Sequence, residues 1–320
     1  MTQYQLLSSQ QSLLDWYARD ARSELPWRKT SDIYYIYLSE IMLQQTQVSR
    51  VASEYYPNFL QKFPTISALS KASLEEVFSL WSGLGYYRRA KNLHATAQLC
   101  PNGLPDNLKD LLKLPGIGRY TASAICSFGY KQSVSVVDTN IARVLARFFA
   151  YEDAKEKELW ILADKFLNTK NPTEHNLALM DLGAMVCIPK NPECGLCPLS
   201  KACLGKENPA LYYKKKTTVY VDKELHFGVC VKENSFATLR SEEGMYKDML
   251  ELPSLESHKY EDTCLGSFKH SVTHFRLKVF VYLIDEVEEE VIWVKMQDID
   301  TAPISSLTQK ALKLYEKSLT

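Results

Sequence analysis

One turn constrains this chain more than any other feature. Leu111 to Arg147 reads LLKLPGIGRYTASAICSFGYKQSVSVVDTNIARVLAR. Pro115, Gly116 and Gly118 end one helical pattern and permit backbone angles that other residues resist. A new helix is expected from Arg119 and Tyr120 through Ile125. Its free N–H groups face the turn, a natural seat for a phosphate. Ala122, Ser123 and Ala124 are small enough to let another helix come close. Asp138 lies twenty residues beyond Gly118 and opens a further helix. Taken alone, a Gly-x-Gly turn is an ordinary helix connector, so the rest of the chain must say what it serves.

A length of 320 residues predicts about two domains. No apolar run reaches the roughly 20 residues of a membrane span. The opening MTQYQLLSSQQSLLDWY has no basic stretch followed by an apolar core. The expectation is a cytoplasmic protein with no leader and no membrane association. Net charge is zero, but it is unevenly spread. Residues 1–216 hold 26 Lys and Arg against 20 Asp and Glu, a net +6, while residues 217–320 hold 12 against 18, a net −6. The excess of base in the first part points to nucleic-acid contact there.

Taken in order, residues 5–20 carry a helical apolar stripe, and Asp32 to Val48 reads as one buried helix. Glu40 lies inside it, with Ile36, Tyr37 and Leu43 as helical neighbours. A carboxyl in such company is desolvated, which raises its pKa. Ser73-Leu74-Glu75-Glu76 has the form of a capping box and should start a helix. Gly83 and Gly85 mark a turn before Tyr86, Tyr87, Arg88 and Arg89, where stacking surface meets phosphate-seeking charge. Two more helices are expected within residues 150–186. Cys187, Cys194, Cys197 and Cys203 then follow a C-x6-C-x2-C-x5-C spacing. Four such thiolates suit zinc or an iron–sulfur cluster, and spacing alone does not choose. Residues 205–218, with Lys214-Lys215-Lys216, read as a linker. From Val219 the pattern turns to strands, at 219–221, 227–231, 277–283 and 291–294, with a helix over 305–318. The fold expected is an all-α domain over residues 1–204, the linker, and a small α+β domain over 219–320.

Several of these strings resemble one family. Leu114-Pro115-Gly116-Ile117-Gly118 with Asp138 resembles the helix–hairpin–helix and Gly/Pro-Asp motif of a DNA glycosylase superfamily. Ser39-Glu40-Ile41-Met42-Leu43-Gln44-Gln45-Thr46-Gln47-Val48 resembles, almost letter for letter, the catalytic segment of MutY-type adenine DNA glycosylases. Leu25-Pro26-Trp27-Arg28 and Leu80 to Leu93 fit the same family, and the cysteines match the [4Fe–4S] loop of its endonuclease III and MutY branch. The resemblance implies an enzyme that flips adenine out of double-stranded DNA, opposite 8-oxoguanine or guanine, and hydrolyses its glycosidic bond. It assigns Glu40 as the acid on adenine N7 and Asp138 as support for the sugar cation, with Tyr120 and Asn140 beside them. It places Leu114, Gly116, Gly118 and Arg119 on a DNA phosphate, with a monovalent cation bound at the hairpin. It makes Gln45 a wedge and Tyr86 an intercalator, adds Arg88 to the DNA contacts, and turns Lys190 and Lys201 towards DNA. A monomer is expected.

Tyr120 stands where the endonuclease III branch has a Schiff-base lysine, so base removal without strong strand cleavage is expected. Endonuclease III-type and thymine-mismatch glycosylases of the same fold are the rival readings. The second domain resembles the Nudix-like domain that recognises 8-oxoguanine. Leu250 to Pro253 and Phe268 to Phe275 carry that likeness, with Thr273 and His274 as lesion-reading residues. Val272 stands where an aromatic is usual, and only fourteen residues separate Pro253 from Phe268. The pyrophosphohydrolase box is absent, so no such activity is expected.

Overall fold

The computed structural model describes residues 2–212, 219–242, 246–247, 249–256, 261–299 and 302–319. The chain divides into two compact units, Met1–Lys71 with Asn92–Lys216, and Ala72–Lys91 with Thr217–Thr320. The segment holding Tyr86 and Arg88 thus belongs with the C-terminal residues. Lys214-Lys215-Lys216 lies outside the described residues.

The first unit is helical. Its opening helix, Gln3–Asp20, starts at a Thr2 capping box in which Thr2 and Gln5 satisfy each other's N–H groups. Leu6, Leu13 and Trp16 bury one face against Ile141, Leu145, Phe148, Phe166 and Leu179. Asp32 caps the next helix, Ile33–Met42, by accepting from the Tyr34 and Tyr35 N–H groups. Eight of its ten residues are buried, Glu40 among them. The helix expected to run to Val48 therefore stops six residues early. Gln45 adopts φ 57°, a left-handed angle that no continuing helix allows. The chain turns through Gln44, Gln45 and Thr46, and helix resumes at Val48–Arg50. The turn leaves Gln45 exposed at its tip.

After a short helix, Leu108–Leu111, the hairpin reverses the chain. Gly116 has φ 72°, and a Cβ there would lie 2.6 Å from the Asn92 amide nitrogen. Both facts require glycine. Gly118 caps the helix Arg119–Ala124, and a wide turn, Ile125–Gly129, continues it. Asp138 caps the helix Thr139–Phe148. The helix Pro172–Met185 crosses close over its first turn. Gly183 makes that approach, since a Cβ there would stand 2.6 Å from Asn140 Cβ and 2.9 Å from the Asn140 carbonyl oxygen.

The second unit begins with the helix Leu74–Trp81, started by the Ser73–Glu76 capping box as expected. Among the described residues seven strands follow: β1 (Val221–Val229), β2 (Val231–Lys232), β3 (Ser235–Arg240), β4 (Leu250–Glu251), β5 (Cys264–Val272), β6 (Phe275–Leu283) and β7 (Ile292–Lys295). β6 is the centre of a three-stranded sheet, parallel to β1 and antiparallel to β5. β3 pairs with β2, β4 and β7 in the other. The two strands expected at 219–221 and 227–231 are mostly one, because β1 pairs residue by residue along the whole of β6. β5 was not expected, because its inward positions Gly266, Phe268, His270 and Val272 include a glycine and a histidine and so show no apolar alternation. Ser305 caps the final helix, Ser306–Ser318, whose Leu307, Ala311 and Leu312 close the core against Val279 and Val281.

Gly183→Ala tests the helix crossing. The added methyl has nowhere to go but into Asn140, so unfolding stability should fall by about 1–3 kcal/mol. Urea unfolding with a parent-like midpoint would show that the two helices can separate freely.

Candidate active site

The helix ends of the first unit converge on a cavity of about 340 Å³, large enough for a small molecule. Glu40 enters from the buried helix, Tyr120 from the helix after the hairpin, and Asp138 and Asn140 from the capped helix start. The four residues singled out from the sequence thus share one chamber, although they are spread over a hundred positions of chain.

Tyr120 donates its phenol proton to Glu40 Oε2 at 2.6 Å. That bond fixes one carboxyl oxygen and leaves the other towards the cavity. Burial pushes the Glu40 carboxyl up to about 7, with Asp138 adding to the rise, while Tyr120 and Arg28 oppose it. Tyr120 itself is driven well above its ordinary range by burial and by Glu40, so it remains a donor. Asp138 accepts the Ile141 N–H at 2.7 Å on one oxygen and the Asn140 side-chain amide at 3.0 Å on the other. Burial raises its pKa, and these hydrogen bonds together with Arg143 pull it back towards the anion.

Behind this pair stand charges that sequence analysis did not assign. Asp181 is fully buried and accepts from Arg22 at 2.6 Å and from Arg28 at 3.1 Å. Arg28 also donates to Tyr17 Oη at 3.0 Å, which aims its guanidinium along the cavity wall. Arg143 donates to Asn140 Oδ1 at 2.9 Å and to the Gly183 carbonyl at 2.6 Å. The available signal was two arginines, Arg143 and Arg147, one turn apart on the apolar face of a helix. Lys131 also lines the cavity and was not singled out.

Cys187, Cys194, Cys197 and Cys203 line a separate cavity with Val186, Pro192 and Pro209. Arg147 wraps this loop, donating to the Ile188 carbonyl at 2.8 Å, the Pro189 carbonyl at 2.9 Å and the Cys187 sulfur at 3.3 Å. Among the described residues, no three His, Cys, Asp or Glu side chains gather closely enough to hold a single metal ion. The donor set is four thiols lining one small cavity, and soft thiolates suit zinc or an iron–sulfur cluster.

The expected DNA contacts have the following local settings. Leu114, Gly116 and Gly118 lie on the hairpin, with both glycines exposed. Arg119 follows, its guanidinium 3.9 Å from the Trp160 ring centroid. In the second unit Tyr86 has φ 51° and is 44 % exposed, with Arg89 packed at 5.3 Å from its ring. Arg88 is exposed beside it. Thr273 and His274 are both exposed and form the two-residue tip between β5 and β6, with Thr273 at φ 52°. The expected lesion-reading loop is therefore mostly strand, and only its tip is loop.

Residues 38–168 match the family described as HhH-GPD superfamily base excision DNA repair protein. The chain is 32% identical to the adenine DNA glycosylase of Buchnera aphidicola subsp. Schizaphis graminum, over 96% of this chain and 98% of that protein. It is 41% identical to the human adenine DNA glycosylase over 61% of this chain and 39% of the human one. Among solved structures it is similar to a thermostable thymine-DNA glycosylase, with a TM-score of 0.59 and 31% identity, over 64% of this chain and 97% of the other. No helix among the described residues is long and apolar enough to cross a membrane.

The raised Glu40 pKa makes a prediction about stability. A carboxyl whose folded pKa near 7 exceeds its ordinary 4.5 supports the fold fully below pH 4.5 and loses that support as pH rises through 7. Glu40→Gln cannot ionise. Urea unfolding should therefore show the variant gaining on the parent by up to about 3 kcal/mol between pH 4.5 and 8. An unchanged difference across that range would mean that Glu40 titrates as an ordinary surface carboxyl.

Proposed function

We propose that this chain, which belongs to the adenine DNA glycosylase family, removes adenine from DNA in the cavity between Glu40 and Asp138. The enzyme is a base-excision repair hydrolase acting on N-glycosidic bonds. Its partner is double-stranded DNA, with adenine opposite 8-oxoguanine or guanine as the target. The base must leave the helical stack before it can reach a carboxyl buried this deeply.

Adenine departs only if its ring is protonated and the sugar cation is stabilised. Two carboxyl groups with different environments supply both needs. Glu40 is the acid, because a pKa near 7 keeps much of it protonated at neutral pH and still able to give the proton up. Tyr120 occupies one carboxyl oxygen and so aims the other at the base. Asp138 is the anion, held by Asn140 and the Ile141 N–H facing the developing charge. The observation that carries this reading is the juxtaposition of a tyrosine-clamped, buried Glu40 with Asp138 in one cavity.

The likeness to a thymine-DNA glycosylase supports a second reading, removal of thymine from mismatches. Single-turnover assays on duplexes with A opposite 8-oxoguanine, A opposite G and T opposite G separate the two. We expect cleavage of the first two. Glu40→Gln should slow them at least about 100-fold, and Asp138→Asn nearly as much. Excision of thymine alone would transfer the assignment to the second reading, and a parent-like Glu40→Gln rate would remove Glu40 from the chemistry.

The C-terminal unit is assigned the reading of 8-oxoguanine as a Nudix-like domain, through Thr273 and His274 at their exposed tip. In the same assay, Thr273→Ala with His274→Ala should reduce the preference for 8-oxoguanine over guanine opposite adenine. Equal loss on both substrates would make the tip structural.

The four cysteines are assigned to a [4Fe–4S] cluster, which when bound orders the loop that follows the Pro172–Met185 helix. The resemblance of the cysteine spacing to the family's iron–sulfur loop supports it over a lone zinc ion, while thiolate donors suit either. Protein prepared without oxygen should hold about four irons with matching sulfide. One zinc and no iron would overturn the assignment.

A further inference from the structure

The backbone is left-handed at nine non-glycine residues among those described, Gln45, Tyr86, Lys131 and Thr273 included. Such a residue is worth a functional question, because the conformation costs a side-chain-bearing residue energy that glycine avoids. Of the nine, only Lys131 lines the cavity that holds Glu40 and Asp138. Its φ is 56°.

The loop around Lys131 is held firmly. Tyr130 donates its N–H to the Ile125 carbonyl at 3.1 Å, and Gln132 donates its own to the Cys126 carbonyl at 2.9 Å. The Tyr130 hydroxyl reaches the Leu104 carbonyl, and the Gln132 amide reaches the Asp106 carbonyl. Both neighbours of Lys131 are therefore anchored through backbone and side chain, and the strained residue sits between them. Lys131 is exposed. Among the described residues its ammonium has no ion-pair or hydrogen-bond partner.

We infer that Lys131 is a rim contact for a backbone phosphate of the nucleotide whose base occupies the cavity. This inference rests on the reading that the cavity receives a flipped base. When a base turns into the cavity, its sugar and flanking phosphates stay at the mouth. The cavity carries the Asp138 carboxylate, whose charge disfavours an incoming phosphodiester. A lysine fixed at the rim offsets that repulsion without placing a cation beside the developing sugar cation. A free ammonium on an anchored loop also loses little side-chain freedom in finding the phosphate.

The test uses the full chain and a duplex carrying 2′-fluoro-2′-deoxyadenosine opposite guanine. The fluorine blocks bond cleavage, so binding is read alone, by fluorescence anisotropy from about 50 to 300 mM KCl. One lost phosphate contact reduces the slope of log K against log salt by about 0.9. Lys131→Met is expected to show that loss with about 3- to 10-fold weaker binding at 100 mM salt. Lys131→Arg should restore both. Lys131→Gly should bind as weakly as the methionine variant while melting no lower than the parent, since the backbone is relieved.

A parent-like slope for Lys131→Met overturns the inference. So does an equal slope loss on a fully matched duplex, because the contact would then form without base flipping. Adenine excision by the parent is measured on the same duplex without fluorine. If no adenine is released, the reading of the cavity fails. If adenine is released and the slope does not move, only the role of Lys131 fails.

Discussion

The hydrogen bond from Tyr120 to Glu40 is the constraint on which the site depends. A carboxyl placed on the inside of a buried helix would ordinarily be expelled or replaced, because desolvation penalises its charge. Here the penalty is what makes the group useful, holding its proton near neutrality. One donor at 2.6 Å is enough to orient the carboxyl and too little to restore an ordinary acidity. Two donors of that quality would favour the anion further and weaken the acid. At Asp138 burial also raises the pKa, but a backbone N–H, a side-chain amide and a neighbouring guanidinium all oppose that rise.

Holding two carboxyl groups in one cavity requires cations nearby that do not cancel them. Asp181 solves part of this. It is buried without exposure, and it gathers Arg22 and Arg28 so that Arg28 runs along the wall instead of pairing with Glu40. Arg143 is restrained in the same manner by Asn140 and the Gly183 carbonyl. Each guanidinium is spent on a structural acceptor, and its field reaches the site at a distance. Removing Asp181 would leave the buried Arg28 guanidinium without its carboxylate partner, which costs several kcal/mol. The network therefore has to fold as a unit.

Much of this was legible in the chain. Glu40 and Asp138 were singled out by the resemblance of their segments to a known family, since apolar helical neighbours and a helix-opening position alone fit an ordinary edge carboxylate and a plain cap as well. The Ser73 box and the Gly116 turn follow from local chemistry alone. What could not be read was set by distant partners. The helix expected to reach Val48 ends at Met42 because the chain turns at Gln45, and helical periodicity is blind to a left-handed residue that is not glycine. β5 was missed because Gly266 and His270 take inward positions and break the apolar alternation that marks a strand. Asp181 looked like one more acid on a helix, and its role depends on Arg22, 159 positions away. The grouping of residues 72–91 with the C-terminal residues is a tertiary fact that no local pattern carries.

Glycine is required by space at two positions, and side-chain-bearing residues take left-handed angles at others. Gly116 and Gly183 stand where a Cβ would collide with Asn92 or Asn140, so the space excludes every other residue. Gln45, Tyr86, Lys131 and Thr273 adopt left-handed angles where glycine would be the cheaper occupant. All four are exposed, so packing gives no reason to keep them. Such an angle costs a side-chain-bearing residue about 1 kcal/mol or more. The proposed roles call for outward side chains at these positions: at Gln45 and Tyr86 surface to set against bases, at Thr273 a hydroxyl at a hairpin tip, and at Lys131 a charge. The strain thus falls where side chains are thrust outward, while the clamped carboxyl pair lies in backbone of ordinary helical and extended geometry.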